Sequence, residues 1–332
     1  MRIREYLLLF VPMHGGGLEI FMAKGVCAVS ISPAIDRSVY VDDFKLDNVN
    51  RVNEGFDSPG SKGVNVALNL AVCGLKSTCT GFIGGQGSNF ITSALKNGNV
   101  ICDFVPVDYD VRINYKIVDL KNKTYTDINY PCGVPSDESI SVFKTKLKAL
   151  AQQNEYVALS GNISPVLSSL YSELCSIITA QGAKVTIDCS KHALFLAAKQ
   201  KPYAIKPNLN ELNEAFNLNC TSKDDIKNAA MRLCESGIKN VLVSLDKDGA
   251  IAVCNKKAYF VSVCDVPVLN TVGAGDAFLS GFIYSKMSGF DDSLCLKYAA
   301  SFAQANVSHR ACDKKSFDDF KKYVSQIRVE EF

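Results

Sequence analysis

From Met22 onward the chain alternates apolar runs with helix-like segments, and this alternation constrains the fold more than any other feature. Residues 25–31 form a continuous apolar run, which is typical of a strand covered on both faces of a sheet. A further strand is expected at 100–107. The rhythm is most regular in the second half, where predicted helices precede predicted strands: 137–152 before 156–160, 166–180 before 184–188, and 192–199 before 203–206. This order predicts an α/β fold with a mostly parallel central sheet and helices on both faces.

Two polar regions interrupt the rhythm. Short strand-like pieces at 39–41 and 52–56, and again at 113–120 and 124–129, alternate polar and apolar residues. We expect them to form a small β-sheet lid, with strands at about 38–57 and 110–130, on a single domain that covers 22–332. Residues 1–21 weakly imitate a signal peptide but lack a small-x-small cleavage site, so we expect an extension outside the fold.

Charge and composition exclude several classes of function. Lys and Arg number 36 and Asp and Glu 34, so the net charge of +2 gives no field for nucleic acid or an anionic membrane. No apolar run is long enough to span a bilayer. The 13 cysteines are scattered, odd in number and without a C-x-x-C pair, which indicates reduced thiols in a cytoplasmic protein. With three histidines, a Cys/His zinc site is not expected.

The first chemical motif is the glycine-rich segment 270–276. Apolar residues from 277 onward suit a buried helix, which places Gly273, Ala274 and Gly275 at its N-terminus. Backbone N–H groups are unpaired there and the helix dipole is positive, so the turn can hold a phosphate or a charge developing on one. Asp276, in the first turn, would stay ionised and could accept a hydroxyl proton. An acidic residue that only decorates a helix start is the alternative, and the motif alone leaves both open.

The second motif is a glycine-rich turn at 58–63 that opens a helix. Lys62 can offer a point charge to a phosphate or carboxylate, and Asn65 can bond to hydroxyls. The segment is not a Walker A loop, because G-x-x-x-x-G-K-[ST] is absent. An ordinary loop with a helix cap is the alternative interpretation.

The third motif runs from Lys206 to Leu212. Asn208 followed three residues later by Glu211 matches a capping box, and the same oxygens could lie near Mg²⁺, through water. Both interpretations can hold, because a helix start can do both. A further segment, Gly85-Gln86-Gly87, imitates a dinucleotide fingerprint, but Phe90 replaces its third glycine, which argues against a Rossmann dehydrogenase.

In this order, and over about 26–324, the motifs resemble the PfkB family of ribokinase-like sugar kinases. The segment 271–276 is similar to the family's C-terminal signature, 60–67 to its N-terminal signature, 206–211 to its N-x-x-E element, and 243–245 with Gly249 to its nucleotide strand. Segments 32–36, 49–52, 112–116 and 126–129 are similar to the branch of 1-phosphofructokinases and tagatose-6-phosphate kinases.

The resemblance implies transfer of the ATP γ-phosphoryl group to a phosphosugar hydroxyl, with Asp276 as base and the backbone of 273–275 as anion hole. The residues that it implies for the sugar phosphate are Asp36, Gly60, Lys62, Asn65 and Arg112, with Arg112, supported by Lys62, on the phosphate. Those that it implies around the nucleotide are Lys206, Asn208, Ser244, Gly249, Thr271, Gly273 and Gly275, and for Mg²⁺ they are Asn208 and Glu211. The lid usually pairs two subunits in this branch, which implies a homodimer.

Some positions depart from the branch pattern. Ser32 stands where an asparagine is usual, and Ser61 and Asp246 each replace a glycine. None of these changes removes the base or the basic groups. Residues 126–129 resemble the lid strand of 1-phosphofructokinases, which favours fructose 1-phosphate over tagatose 6-phosphate or fructose 6-phosphate; alternatively they only complete a strand. A non-catalytic sugar-phosphate or nucleotide binder on the same fold is the alternative of another class, against which the intact Gly-Ala-Gly-Asp argues.

Overall fold

The structure is a computed structural model that describes residues 24–269, 271–309 and 314–332, without the side chains of 314–318. The expectations for residues 1–21 lie outside the described residues. Fifteen strands, ten α-helices and two short 3-10 helices are present in the described part of the chain. The strands are β1 Gly25–Ser30, β2 Ala34–Val41, β3 Val52–Gly60, β4 Ser77–Gly84, β5 Ile101–Cys102, β6 Val105–Val107, β7 Arg112–Asp119, β8 Thr124–Ile128, β9 Asn154–Ser160, β10 Lys184–Asp188, β11 Ala204–Ile205, β12 Asn240–Ser244, β13 Ala250–Cys254, β14 Lys257–Val261 and β15 Val329–Glu331.

The α-helices are α1 Lys62–Val72, α2 Ser88–Asn97, α3 Asp137–Gln153, α4 Leu170–Thr179, α5 Lys191–Ala198, α6 Leu209–Phe216, α7 Lys223–Glu235, α8 Ala274–Met287, α9 Asp292–Val307 and α10 Lys314–Val324. The bounds of α3 and α5 lie within one residue of the prediction. The helix predicted at 166–180 begins later, because a separate 3-10 turn covers Pro165–Leu167. None of the helices in the described ranges is long and apolar enough to cross a bilayer.

The central sheet has the order β15-β14-β13-β12-β11-β10-β9-β1-β4-β5, and β6 also pairs with β4. Its strands are parallel from β12 through β5, and the pairs β12–β13, β13–β14 and β14–β15 are antiparallel. The predicted mostly parallel α/β sheet is therefore confirmed. In such a sheet the carboxyl ends of the parallel strands share one edge, which is where ligands bind.

The first strand shows how both faces of this sheet are covered. All six residues of β1 are buried, and successive side chains enter different clusters. Cys27 and Val29 pack with side chains of α3 to α7, whereas Val26 and Ala28 pack with side chains of α1, α2 and α8. The continuous apolar run in the sequence is thus explained by helices on both sides.

The second, smaller sheet has the order β3-β2-β7-β8. Its four strands lie where the sequence predicts them, although β2 begins earlier and β3 ends later than the predicted 38–57. The reason is that Ala34 pairs with both Gly60 and Arg112, so the ladder continues to the end that adjoins the central sheet. Two other boundaries differ from prediction: the strand expected at 100–107 is divided into β5 and β6, and β15 was not expected.

Candidate active site

The helix α8 begins at the carboxyl edge of the central sheet, as the glycine-rich segment predicted. Gly273 is its N-cap residue and has a φ of 81°, a left-handed conformation that favours glycine. The side-chain amide of Asn306 donates to the Val272 carbonyl at 2.9 Å and fixes the turn. Because a glycine N-cap offers no side-chain acceptor, the first N–H groups of α8 are suited to a bound anion.

The carboxylate of Asp276 lies in the first turn of α8 and is 5% exposed. Its Oδ2 accepts a hydrogen bond of 2.7 Å from the side-chain amide of Asn65 on α1. Burial and the negative charge of Asp188 raise the pKa of Asp276 to about 6, against the opposing effects of Lys62, Asn65 and Lys206. A carboxylate with this pKa is ionised at neutral pH yet basic enough to take a proton.

The pH dependence of turnover should follow from this pKa. Asp276 must be deprotonated to act as a base, so we expect activity to fall as the pH drops through about 6, rather than through the ordinary aspartate value near 3.8. The measurement is kcat/KM for the acceptor at saturating nucleotide, from about pH 4.5 to about pH 8, a range that covers the titration of a group with a pKa near 6. A profile that stays flat down to about pH 5, roughly one unit below that pKa, would contradict the assignment of Asp276 as the base.

Beside Asp276 lies a chain of alternating charges. The Lys62 ammonium contacts Asp188 Oδ1 at 2.6 Å and Glu211 Oε1 at 3.2 Å. The Lys206 ammonium contacts the other oxygen of Asp188 at 3.1 Å. A Cβ placed on Gly275 would lie 3.1 Å from Lys206 Nζ, so this ammonium adjoins the first turn of α8. Two positive charges are therefore held next to the proposed anion hole.

Asp188 links these lysines and was missed by sequence reasoning. Its side chain is fully buried, and although burial alone would raise its pKa, Lys206 and Lys62 lower it. The signal in the sequence was available: Asp188 is the last residue of a predicted strand, at the edge where the site lies. Its partners are distant in sequence, so nothing local connected them.

The pair Asn208 and Glu211 forms the predicted capping box at the start of α6. Asn208 Oδ1 accepts from the Glu211 N–H at 2.8 Å, and Glu211 Oε2 accepts from the Asn208 N–H at 2.9 Å. The remaining oxygen, Oε1, faces the Lys62 ammonium. The cap therefore uses Oε2 of Glu211, whereas Oε1 lies beside the positive charge of Lys62.

The residues predicted around the nucleotide lie on neighbouring segments. Asn208 and Ser244, at the end of β12, form an isolated parallel bridge. Gly249 ends a short turn after β12, and its carbonyl accepts from the Leu245 N–H at 2.8 Å. The Thr271 carbonyl accepts from the Ala274 N–H at 3.4 Å, in the turn that leads into α8. Within the described part of the chain, the contacts of these residues are consistent with ordinary turns and do not by themselves indicate nucleotide binding.

On the small sheet, Asp36 is the centre of a second polar group. Its Oδ1 accepts from the Asn114 side-chain amide at 2.9 Å, and its Oδ2 lies 3.8 Å from the Lys116 ammonium. A Cβ on Gly60 would lie 2.5 Å from the Asp36 carboxyl carbon, so only glycine leaves room for this carboxylate. This explains Gly60 as a steric partner of Asp36.

Arg112 is placed at the end of the small sheet that adjoins β4. Its guanidinium donates to the carbonyls of Tyr130 at 2.9 Å and Ser32 at 3.4 Å, and to Asn114 Oδ1 at 3.3 Å. It also borders a cavity of about 280 Å³ between the end of β4 and the segments 109–112 and 131–134. Lys62, which was expected to support Arg112 on the phosphate, contacts Asp188 and Glu211.

Ser61 occupies a backbone conformation that glycine would suit, as its departure from the family pattern suggested. Its φ of 95° and ψ of 146° lie near a region that is almost restricted to glycine. Its hydroxyl lies 2.5 Å from that of Ser30 at the end of β1. The hydrogen bond to Ser30 thus helps to accommodate a serine at this position. Its neighbours in the chain are Gly60, which adjoins Asp36, and Lys62, which contacts Asp188.

The fold and these groups define an α/β enzyme whose charged residues gather at the carboxyl ends of parallel strands. Residues 23–318 match the pfkB family carbohydrate kinases. The chain belongs to this family, and it is a kinase that transfers a phosphoryl group to an alcohol.

Individual relatives agree with this assignment. The chain is 32% identical to a 1-phosphofructokinase of Borreliella burgdorferi over 311 residues, which are 92% of this chain and 98% of the relative. It is 34% identical to a 1-phosphofructokinase of Bacillus subtilis over 259 residues, which are 78% and 84% of the two chains. The solved structure of the tetrameric inhibited form of Escherichia coli phosphofructokinase-2 shares the fold, with a TM-score of 0.84 at 22% identity over 91% of this chain and 99% of that one.

Proposed function

We propose that the protein transfers the γ-phosphoryl group of ATP to a hydroxyl of fructose 1-phosphate and forms fructose 1,6-bisphosphate and ADP. The observation that carries the proposal is the buried Asp276 carboxylate at the glycine-rich start of α8, bonded to Asn65 and flanked by two ammonium groups. A base, an anion site and positive charge at one place are the parts that phosphoryl transfer needs.

Each group has a distinct role in this reaction. The acceptor hydroxyl gives its proton to Asp276 as its oxygen bonds to the γ-phosphorus, and the bond to the β-phosphate oxygen breaks to release ADP. The N–H groups at 273–275 bind the oxygens on which charge accumulates, because they stand at the positive end of α8. Lys206 and Lys62 neutralise the phosphates nearby. Asn65 orients the base through its hydrogen bond.

The proposed nucleotide requires a divalent cation, and the residues fit one. Mg²⁺ is bound by one or two carboxylates together with water and substrate phosphates, so three protein ligands are not needed. Glu211 would hold it through Oε1, which the capping box does not use and which now contacts the Lys62 ammonium, so the ion would share this oxygen with Lys62 or displace its ammonium. Asn208 would hold it through the remaining lone pair of its capping oxygen. When bound, the ion would neutralise the β- and γ-phosphates.

Fructose 1-phosphate is preferred to tagatose 6-phosphate and fructose 6-phosphate for two reasons. Relatives that carry the name 1-phosphofructokinase are 32% and 34% identical to this chain. In addition, the segment 126–129, most of which lies in the strand Thr124–Ile128, resembles this group. Asp36 would bind sugar hydroxyls and Arg112 the phosphate already on the sugar.

The test is kcat/KM for fructose 1-phosphate, tagatose 6-phosphate, fructose 6-phosphate, fructose and ribose under identical Mg·ATP, followed by ADP release. We expect fructose 1-phosphate to have the highest value. A higher value for an unphosphorylated sugar would contradict both the substrate and the role of Arg112. ATP and sugar-phosphate binding without ADP release would favour the non-catalytic alternative.

We also propose a homodimer that pairs through the small sheet. Its outer strands expose apolar side chains, including Val52, Phe56 and Tyr125, the last at 67%. A covered face would explain them, as exposed apolar patches often mark interfaces. Light scattering at micromolar concentration should give twice the chain mass. The mass of a monomer, or that of a tetramer like the Escherichia coli structure, would contradict a simple dimer.

A cytoplasmic location completes the proposal. Cys27, Cys79 and Cys254 are buried, and burial raises the pKa of each thiol. Inert buried thiols are typical of proteins in a reducing compartment. Cell fractionation with an antibody to the protein would test the location.

A further inference from the structure

One face of β7 carries three polar side chains in a row. Arg112, Asn114 and Lys116 alternate along the strand, so their side chains leave the same face of the small sheet. In the neighbouring strand β2, Asp36 stands directly opposite Asn114. The two cations therefore flank the Asp36–Asn114 pair, on which the sugar hydroxyls are proposed to bind.

Lys116 stands between two carboxylates, at distances too long for good hydrogen bonds to either. Its ammonium lies 3.8 Å from Asp36 Oδ2 and 3.6 Å from Asp127 Oδ1, with its side chain 16% exposed. Both distances exceed those of good hydrogen bonds, so within the described residues the ammonium has ion-pair neighbours and no short acceptor. An ammonium group has three donors, and a mostly buried one gains most from an anionic partner.

The other basic residue considered for this task is engaged elsewhere. Lys62 contacts Asp188 at 2.6 Å and Glu211 at 3.2 Å, on the side of the site that adjoins α6 and α8. Lys116, in contrast, lies beside Asp36, the carboxylate that is proposed to bind the sugar hydroxyls. Of the two lysines, only Lys116 adjoins the group that is proposed to hold the sugar.

We propose that Lys116, together with Arg112, binds the phosphate already present on the acceptor, and so determines the choice of a phosphosugar over a plain sugar. The inference rests on the proposed function and adds a residue to it. Asp36 alone would repel a phosphorylated acceptor, because both carry negative charge. A cation on each side of Asp36 reverses this effect and lets one carboxylate bind hydroxyls beside a phosphate.

The main test is the variant Lys116→Met, which keeps the length of the side chain and removes its charge. We expect KM for fructose 1-phosphate to rise about tenfold to a hundredfold, the range for one charge-assisted contact to phosphate. The KM for ATP and kcat/KM for plain fructose should change little, because neither involves this phosphate. Lys121→Met is the matched control, since Lys121 lies on the same small sheet, just past β7, and pairs with Asp43, away from Asp36.

A second variant tests the inference without disturbing a buried group. Asp127 is 53% exposed and competes for the Lys116 ammonium, so Asp127→Asn should lower KM for fructose 1-phosphate about twofold to fivefold, as expected for one weak ion pair. Unchanged KM values in Asp127→Asn, or in folded Lys116→Met, alongside a large rise in Arg112→Ala, would overturn the role of Lys116 and leave the proposed function intact. If the wild-type protein phosphorylates no phosphosugar, the proposed function fails first.

Discussion

Replacing Asp276 by asparagine is expected to lower kcat by roughly 10²- to 10⁴-fold, the usual loss when a general base is removed. Asparagine keeps the size of the side chain but cannot accept the hydroxyl proton. The carboxylate lies in the first turn of α8, and the proposed ATP-contacting groups, Lys62, Lys206 and the backbone of 273–275, stay in place. ATP binding, measured by calorimetry, should therefore persist.

The matched control for this experiment is Asp224→Asn. Asp224 lies in the first turn of α7, like Asp276 in its own helix, but its side chain is 77% exposed and remote from the site. Its variant should turn over like the wild type. An Asp276→Asn protein that keeps more than half of the wild-type turnover would remove Asp276 from the role of base.

Replacing Asp188 by asparagine is expected to cost about 3–5 kcal/mol of unfolding free energy, the range for breaking a buried ion pair. The variant leaves the Lys206 ammonium, whose side chain is 4% exposed, without its counter-charge, and weakens the hold on Lys62. The melting temperature should fall by many degrees, and the remaining folded protein should also turn over slowly because both ammonium groups lose their anchor.

A surface pair provides the comparison. Glu155 and Lys184 lie 3.0 Å apart with side chains 38% and 42% exposed, so Glu155→Gln should cost less than about 1 kcal/mol. Equal melting temperatures for the Asp188 and Glu155 variants would show that the buried pair contributes no more than an exposed one.

The central sheet could be predicted from the sequence because its strands are continuous apolar runs between helical segments. The strand predicted at 100–107 shows the limit of this reasoning. There, Cys79 pairs with Cys102 and Phe82 with Val105, so two short ladders replace one strand. β15 was missed because Val329–Glu331 is short and pairs with Tyr259 to Val261, residues far earlier in the chain.

The local motifs of the site could also be predicted, since helix starts and glycine turns depend on adjacent residues. The glycine N-cap of α8 and the capping box of α6 are confirmed. The charge pairs could not be predicted, because the chain brings together residues far apart: Lys62 and Asp188 are separated by 126 positions, and Asn65 and Asp276 by 211. Asp188 and Lys116 therefore emerge only from the three-dimensional arrangement.

Identification of the product shows whether the protein phosphorylates fructose 1-phosphate. The wild-type protein is incubated with fructose 1-phosphate and Mg·ATP, and the products are followed by phosphorus NMR together with ADP release. We expect fructose 1,6-bisphosphate and ADP in equal amounts, with loss of product formation in Asp276→Asn. Formation of ADP without a bisphosphate, or a faster reaction with plain fructose or ribose, would contradict the proposed function.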